Sequence, residues 1–191
     1  MTLPICFRDT DSLVSGVPLG GFGCGTLEVF PDGTRGRFTG LNNWERPLGQ
    51  LHAFRPGTAA DFRDANPFGV FAAWGDRRAA KLLQRTPVAG CPAIHSVSLS
   101  ADFPVAELTF TDPDLPFPIS LLHFSPFIPH DSKHSGLPIA VSVFRLANPT
   151  RTPVTVGLLA CCINAVGSWN VGRYNRMVRQ PGLLGLSCRR Q

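Results

Sequence analysis

Val105-Ala106-Glu107-Leu108-Thr109-Phe110-Thr111-Asp112-Pro113-Asp114-Leu115-Pro116 is the stretch whose reading decides the fold. Ala106, Leu108 and Phe110 alternate with Glu107 and Thr109, and a period of two sends successive side chains to opposite faces of a strand. The Asp-Pro-Asp-Leu-Pro run that follows cannot continue a strand ladder and turns the chain. Beyond it, Ile119 to Phe124 reads as the next strand. Before it, Ile94 to Leu99 reads as the previous one.

The same grammar extends outward. Thr26 to Phe30 alternates, Pro31-Asp32-Gly33-Thr34 turns, and Arg37 to Thr39 returns, predicting a hairpin. Phe68 to Trp74, the turn at Gly75-Asp76 and Ala79 to Leu83 predict a second one. Ile139 to Leu146 and Val154 to Ile163 predict two further strands around Asn148-Pro149-Thr150. Gly182 to Cys188 reads as a strand entered near the end of the chain. Leu41 to Asn66 and Ser125 to Pro138 read as loops, and no amphipathic stripe of helical period stands out. Short strands at close spacing with turn signals between them predict an all-β, antiparallel two-sheet sandwich. The last strand has no evident later neighbour, so the sandwich is expected to be an incomplete piece of a longer protein.

Composition supports an ordered domain. Of 191 residues, 43% are hydrophobic and 16% charged, enough apolar material for a core. Glycine (19) and proline (18) are scattered, as turns between many strands require. The net charge is +5, but the basic residues are mostly single. The densest groups, Arg77-Arg78 and Arg189-Arg190, are not interleaved with aromatics. That argues against a nucleic-acid partner and for a solvated face, or for charge balanced by an acidic segment elsewhere. Cys6, Cys24, Cys91, Cys161, Cys162 and Cys188 form no Cys-x-x-Cys pair and have no zinc spacing, so they read as reduced, mostly buried thiols. The first sixteen residues lack the charged and apolar regions of a signal peptide, and no apolar run is long enough for a membrane helix. The expectation is a cytoplasmic protein without a cofactor or a metal.

Several residue groups invite chemistry. Gly20-Gly21-Phe22-Gly23-Cys24-Gly25 is followed by a strand, whereas a phosphate-binding loop opens a helix. Two readings stand for it: a tight backbone where side chains would clash, or a space opened at a domain contact. His130 and His134 are four apart, but Pro129 and Gly136 frame them as a loop, so the helical spacing of metal ligands does not apply. His123, Ser125 and Asp131 lie close in sequence without the nucleophile elbow a serine triad needs. Only three glutamates occur, Glu28, Glu45 and Glu107; Glu28 and Glu107 read as solvent-facing members of strand alternations. A glycosidase needs two opposed carboxylates and an aromatic platform for sugar. Trp44 with Glu45, or Trp74 with Asp76, supply parts of this but no defined pair.

Four stretches resemble glycoside hydrolase family 116, which includes the non-lysosomal glucosylceramidases, also known as bile-acid β-glucosidases. Gly16-Val17-Pro18-Leu19-Gly20-Gly21-Phe22-Gly23-Cys24-Gly25-Thr26 is similar to the family's opening glycine motif, and Leu41-Asn42-Asn43-Trp44 to its asparagine-tryptophan loop. Ala106 to Pro116 resembles the family's AELTFxDPDLP. Phe124-Ser125-Pro126-Phe127-Ile128-Pro129 with Ser135 to Val141 resembles FSPFIP and SGLPVAV. The order and spacing agree along nearly the whole chain.

The resemblance implies a β-sandwich that packs on a C-terminal (α/α)6 toroid in a retaining β-glucosidase. In such an enzyme a Glu nucleophile and an Asp acid/base, both on the toroid, stand about 5–5.5 Å apart. No position here matches the motif of either residue, so no catalytic residue is assigned and the chain alone is expected not to hydrolyse. The implied partner is the protein's own catalytic domain, and the implied substrate of the intact enzyme is a β-glucoside or glucosylceramide. Gly20, Gly21, Gly23, Asn43, Trp44, Glu45, Phe127, His130 and Asp131 are the candidates for touching substrate or the toroid. The rival expectations are a carbohydrate-binding module that holds sugar through Trp44 or Trp74, and a purely structural domain.

Overall fold

The computed structural model describes residues 4–11, 16–40, 66–88, 90–162 and 172–190. The chain divides into two compact units, Met1–Cys161 and Cys162–Gln191. Among the described residues, strands dominate and every paired strand is antiparallel.

The first unit is sandwich-like. Its larger sheet has five strands in the order β1 (Ile5–Arg8), β7 (Ser96–Asp102), β8 (Val105–Thr111), β9 (Ile119–Phe124) and β10 (Val141–Leu146). One three-stranded sheet orders β11 (Thr155–Ala160), β5 (Phe68–Trp74) and β6 (Arg77–Leu82). The other orders β2 (Val17–Leu19), β3 (Gly25–Val29) and β4 (Arg35–Gly40). Ladder register turns the period-two pattern into a core. Leu99, Leu108 and Leu121 are cross-strand partners in one row, and Val97, Phe110 and Ile119 form the next. Their side chains share one face and meet Val17, Leu19, Val29, Val70 and Ala72 from the two smaller sheets in a single buried cluster. Trp74 packs half-buried against that cluster, at the core's rim.

Turn chemistry behaves as its residues require. Asp32 accepts the Thr34 N–H (2.9 Å) and hydroxyl (2.5 Å), and Gly33 takes φ 83°, closing the β3–β4 connection. Asp112 sits almost wholly buried after β8. It accepts the N–H groups of His95 and Asp114, both at 2.9 Å, and lies 3.3 Å from the Lys81 ammonium. Lys81 also bonds Asp114 at 2.8 Å, and that bond is the main cause raising the Lys81 pKa and lowering that of Asp114. The DPDLP run thus joins the second hairpin to the five-stranded sheet.

Several expectations are corrected. Residues 5–8 and 17–19 form strands that the composition did not announce, because each is too short for its alternation to stand out. Residues 132–135 form one helical turn, α1 (Ser132–Ser135), inside what reads as a loop. An unforeseen strand precedes the one near the C-terminus: β12 (Arg173–Gln180) pairs with β13 (Leu183–Arg190) over eight residue pairs in the second unit. The cysteines are free but not mostly buried, since Cys6, Cys91 and Cys162 are exposed and the others half-exposed. Glu28 and Glu107 are half-buried acceptors and not simply solvent-facing. Glu28 Oε2 takes the Gly16 N–H (2.7 Å) and Glu107 Oε1 the Ser120 hydroxyl (2.8 Å).

Candidate functional site

The inward row of β9 runs Ile119, Leu121, His123 and, one step past the strand, Ser125. That periodicity carries the Ser125 hydroxyl to the glycine segment, where it accepts the Gly20 N–H at 2.7 Å. The contact joins residues 105 apart in sequence. It begins a seam between two loops that the sequence alone keeps separate.

The seam continues through backbone. Phe22 donates its N–H to the Ser135 carbonyl (2.7 Å), and the Cys24 thiol donates to the Gly136 carbonyl (2.9 Å). Gly21 lies so close to this second loop that a Cβ there would overlap the Leu137 carbonyl. Gly20 holds φ 139° with its would-be Cβ against the Gly25 carbonyl. These two glycines therefore bear out the reading of a backbone too crowded for side chains. Gly23 differs: its φ of 78° needs the left-handed region, but open space surrounds it.

The second loop is stiffened from within. The Ser135 side chain, only 5% exposed, accepts the Ile128 N–H (2.8 Å) and donates to the Ile128 carbonyl (3.0 Å). His130 takes φ 66° and turns the chain into Asp131, the N-cap of α1. Asp131 Oδ1 accepts the His134 N–H (3.0 Å), and Oδ2 meets the His134 ring Nδ1 at 2.6 Å. The backbone N–H of His134, then its ring, hold the Asp131 carboxyl below the ordinary carboxylate range. Asp131 and His134 are thus engaged with each other in a cap. His123, Ser125 and Asp131 are not gathered into a triad, since Ser125 serves Gly20 and Asp131 serves α1.

The two loops together present a row of exposed apolar side chains. Phe22 is 77% exposed, and Phe127, Ile128, Leu137 and Ile139 are each at least 39% exposed. Phe127 meets the exposed Phe103 of the β7–β8 turn edge to face, with ring centroids 5.5 Å apart. Large apolar groups held outward on a hydrogen-bonded frame are what a contact surface would use. Of the predicted candidates, Gly20, Gly21, Gly23, Phe127, His130 and Asp131 come together here. Asn43, Trp44 and Glu45 lie outside the described residues.

Sequence reasoning missed Ser135, Cys24, Gly136 and Leu137 as parts of this seam. A local signal existed for α1: an Asp directly before a possible helical turn is a favoured N-cap. No local signal existed for pairing the two loops. His123 lies next to this assembly but is sealed from it. It is 1% exposed, its Nδ1 is 2.9 Å from the Ser142 hydroxyl, and its Nε2 has no hydrogen-bond partner among the described residues. Its ring stacks on Phe68 at 6.0 Å, and the Arg35 guanidinium lies 3.4 Å above the same Phe68 ring. Burial, then the Arg35 charge, push the His123 pKa down to about 3.

Among the described residues, no helix is long and apolar enough to cross a membrane. No curated protein matches the chain. The model of one protein family, described as beta-glucosidase 2, glycosyl-hydrolase family 116 N-term, matches residues 16–182, a span that includes the glycine segment, the DPDLP turn and the second loop. With most of its length inside that match, the chain belongs to the family of glycosyl-hydrolase family 116 N-terminal domains.

Proposed function

We propose that this domain serves a retaining β-glucosidase of the glucosylceramidase type by docking on its (α/α)6 catalytic domain through the seam of the two loops. The observation that carries the reading is the apolar row Phe22, Phe103, Phe127, Ile128 and Leu137, displayed on a frame whose backbone is already hydrogen-bonded. A frame fixed before contact loses little conformational freedom on docking, so the apolar area is not spent on ordering loops. Held there, the loop tips at Gly23 and His130 help shape the rim of the sugar pocket. The carboxylates that act on the glycosidic bond belong to the catalytic domain in this reading.

The test is reconstitution. The 191-residue chain, mixed with a separately produced catalytic domain of a family 116 enzyme, is expected to raise release of 4-nitrophenol from its β-glucoside, while the chain alone releases none. Phe127→Ser is expected to weaken the stimulation about tenfold, as loss of a central aromatic anchor does, without altering the chain's melting temperature. Turnover by the chain alone, or full stimulation by Phe127→Ser, would defeat the proposal.

A further inference from the structure

We propose that His123 is an acid-sensitive latch on the seam of the two loops. When its imidazole takes up a proton, the end of β9 gives way and the Ser125–Gly20 contact opens, while the rest of the sandwich stays folded. The latch follows from placement. His123 and Ser125 occupy consecutive inward positions, so the residue that holds the Gly20 N–H comes directly after a histidine that is 1% exposed. The cross-strand neighbours of His123 are Ala106 on β8 and Ser142 on β10. Among the described residues β10 has β9 as its one ladder neighbour, so this corner of the sheet is held from one side.

Hydrogen-bond capacity supplies the trigger. A neutral imidazole carries one N–H, whereas the protonated ring carries two, and both must donate. The Ser142 hydroxyl, 2.9 Å from Nδ1, can serve one of them; Nε2 has no partner among the described residues. A buried donor without an acceptor is costly, and more so on a charged ring. Phe68 stacks on the imidazole and Phe144 meets Phe68 edge to face, and neither carries charge. Arg35 of β4, its guanidinium 3.4 Å from the centre of the Phe68 ring, faces His123 and opposes a second cation. The protonated ring gains acceptors by leaving the core. Leaving parts the end of β9 from β10 and carries Ser125 off Gly20. The sign is fixed by linkage: the enclosed ring has a pKa of about 3 and a released ring the ordinary 6.5, so opening is favoured as the pH falls below 6.5. Between pH 7 and pH 5 the open fraction is expected to rise about 25-fold. Its consequence for docking rests on the reading of the seam given above; the latch itself does not.

The experiment is amide hydrogen exchange of the 191-residue chain at pH 7 and at pH 5, each rate corrected for the intrinsic pH dependence of exchange. Protection of the Gly20 and Phe22 amides is expected to fall about 25-fold in the parent. It should stay level in His123→Leu and in His123→Gln, two variants that cannot titrate and that differ in polarity, so that one serves if the other folds poorly. If acid lowers protection only at amides in the middle of the sheet, such as Leu108, His123 is released by unfolding of the whole domain and the proposal is wrong. If Gly20 and Phe22 loosen alike in the parent and in the variants, the sensitive group is another, such as the Asp131–His134 cap, and the proposal is equally wrong. The catalytic domain takes no part in this measurement, so a failure of the docking reading and a failure of the latch are seen separately.

Discussion

Gly21 and Gly23 are two residues apart in one motif, yet they answer to different physics. At Gly21 a methyl group has no room, because the Leu137 carbonyl of another loop occupies its place. At Gly23 there is room, and only the left-handed backbone (φ 78°) resists a side chain. Gly21→Ala is therefore expected to destabilise the domain by about 2–3 kcal/mol, the scale of forced overpacking. Gly23→Ala should cost about 1 kcal/mol, the scale of one L-residue held left-handed. Chemical denaturation of the two variants side by side tests this, and equal losses would show that the seam yields at Gly21. A sequence shows both as glycine; the distinction resides in what lies across the gap.

At the scale of elements, the one-turn helix α1 is too short to hold itself, since nucleating a helix costs more than one turn returns. It persists because Asp131 caps it and Ser135 ties its end to Ile128 in both directions. The Ser135 carbonyl then receives the Phe22 N–H and passes that rigidity to the glycine segment. Ser135→Ala removes the side-chain partner of the Ile128 N–H, while the Ile128 carbonyl keeps the Asp131 N–H. It is expected to destabilise by about 1 kcal/mol, the net worth of an ordinary hydrogen bond. Hydrogen exchange checks it: the amides of Ile128 and Phe22 should lose protection together, whereas loss at Ile128 alone would show that the two loops are not mechanically joined. Of the strands bounding the seam, β3, β9 and β10 were legible from alternation over five or six residues, which needs no tertiary information, whereas β2 was too short to show it. The helix was obscured by Pro129 and Gly136, which signal a loop and in fact bracket a cap.

At the scale of the whole molecule, the sandwich buries a histidine where its row calls for an apolar residue. His123 follows Ile119 and Leu121 on the inner face of β9, and burial together with the Arg35 charge lowers its pKa from 6.5 to about 3. A depressed histidine pKa means that the unfolded chain takes up the proton first. The His123 contribution is therefore intact above pH 6.5, and stability falls as the pH drops from 6.5 towards 3. The slope approaches about 1.4 kcal/mol per pH unit within that window. His123→Leu should flatten this part of the stability profile while leaving the neutral-pH melting temperature close to that of the parent. An unchanged acid profile in the variant would place the sensitive group elsewhere.

The amino-acid sequence by itself determined the all-β class, the principal hairpins, the inward row of β8 and the membership in family 116. Each of these follows from local alternation, turn residues or contiguous motifs, and none depends on what another segment does. Tertiary structure alone decided that the glycine segment and the 125–139 loop are one surface. It also decided that Trp74 packs half-buried against the core, that Glu28 accepts the Gly16 amide, and that β12 precedes and pairs with the strand near the C-terminus. The reason is that a hydrogen bond between residues 105 positions apart, such as Gly20 to Ser125, leaves no periodic trace along the chain. It exists only because the ladders on either side have set both ends at the same place.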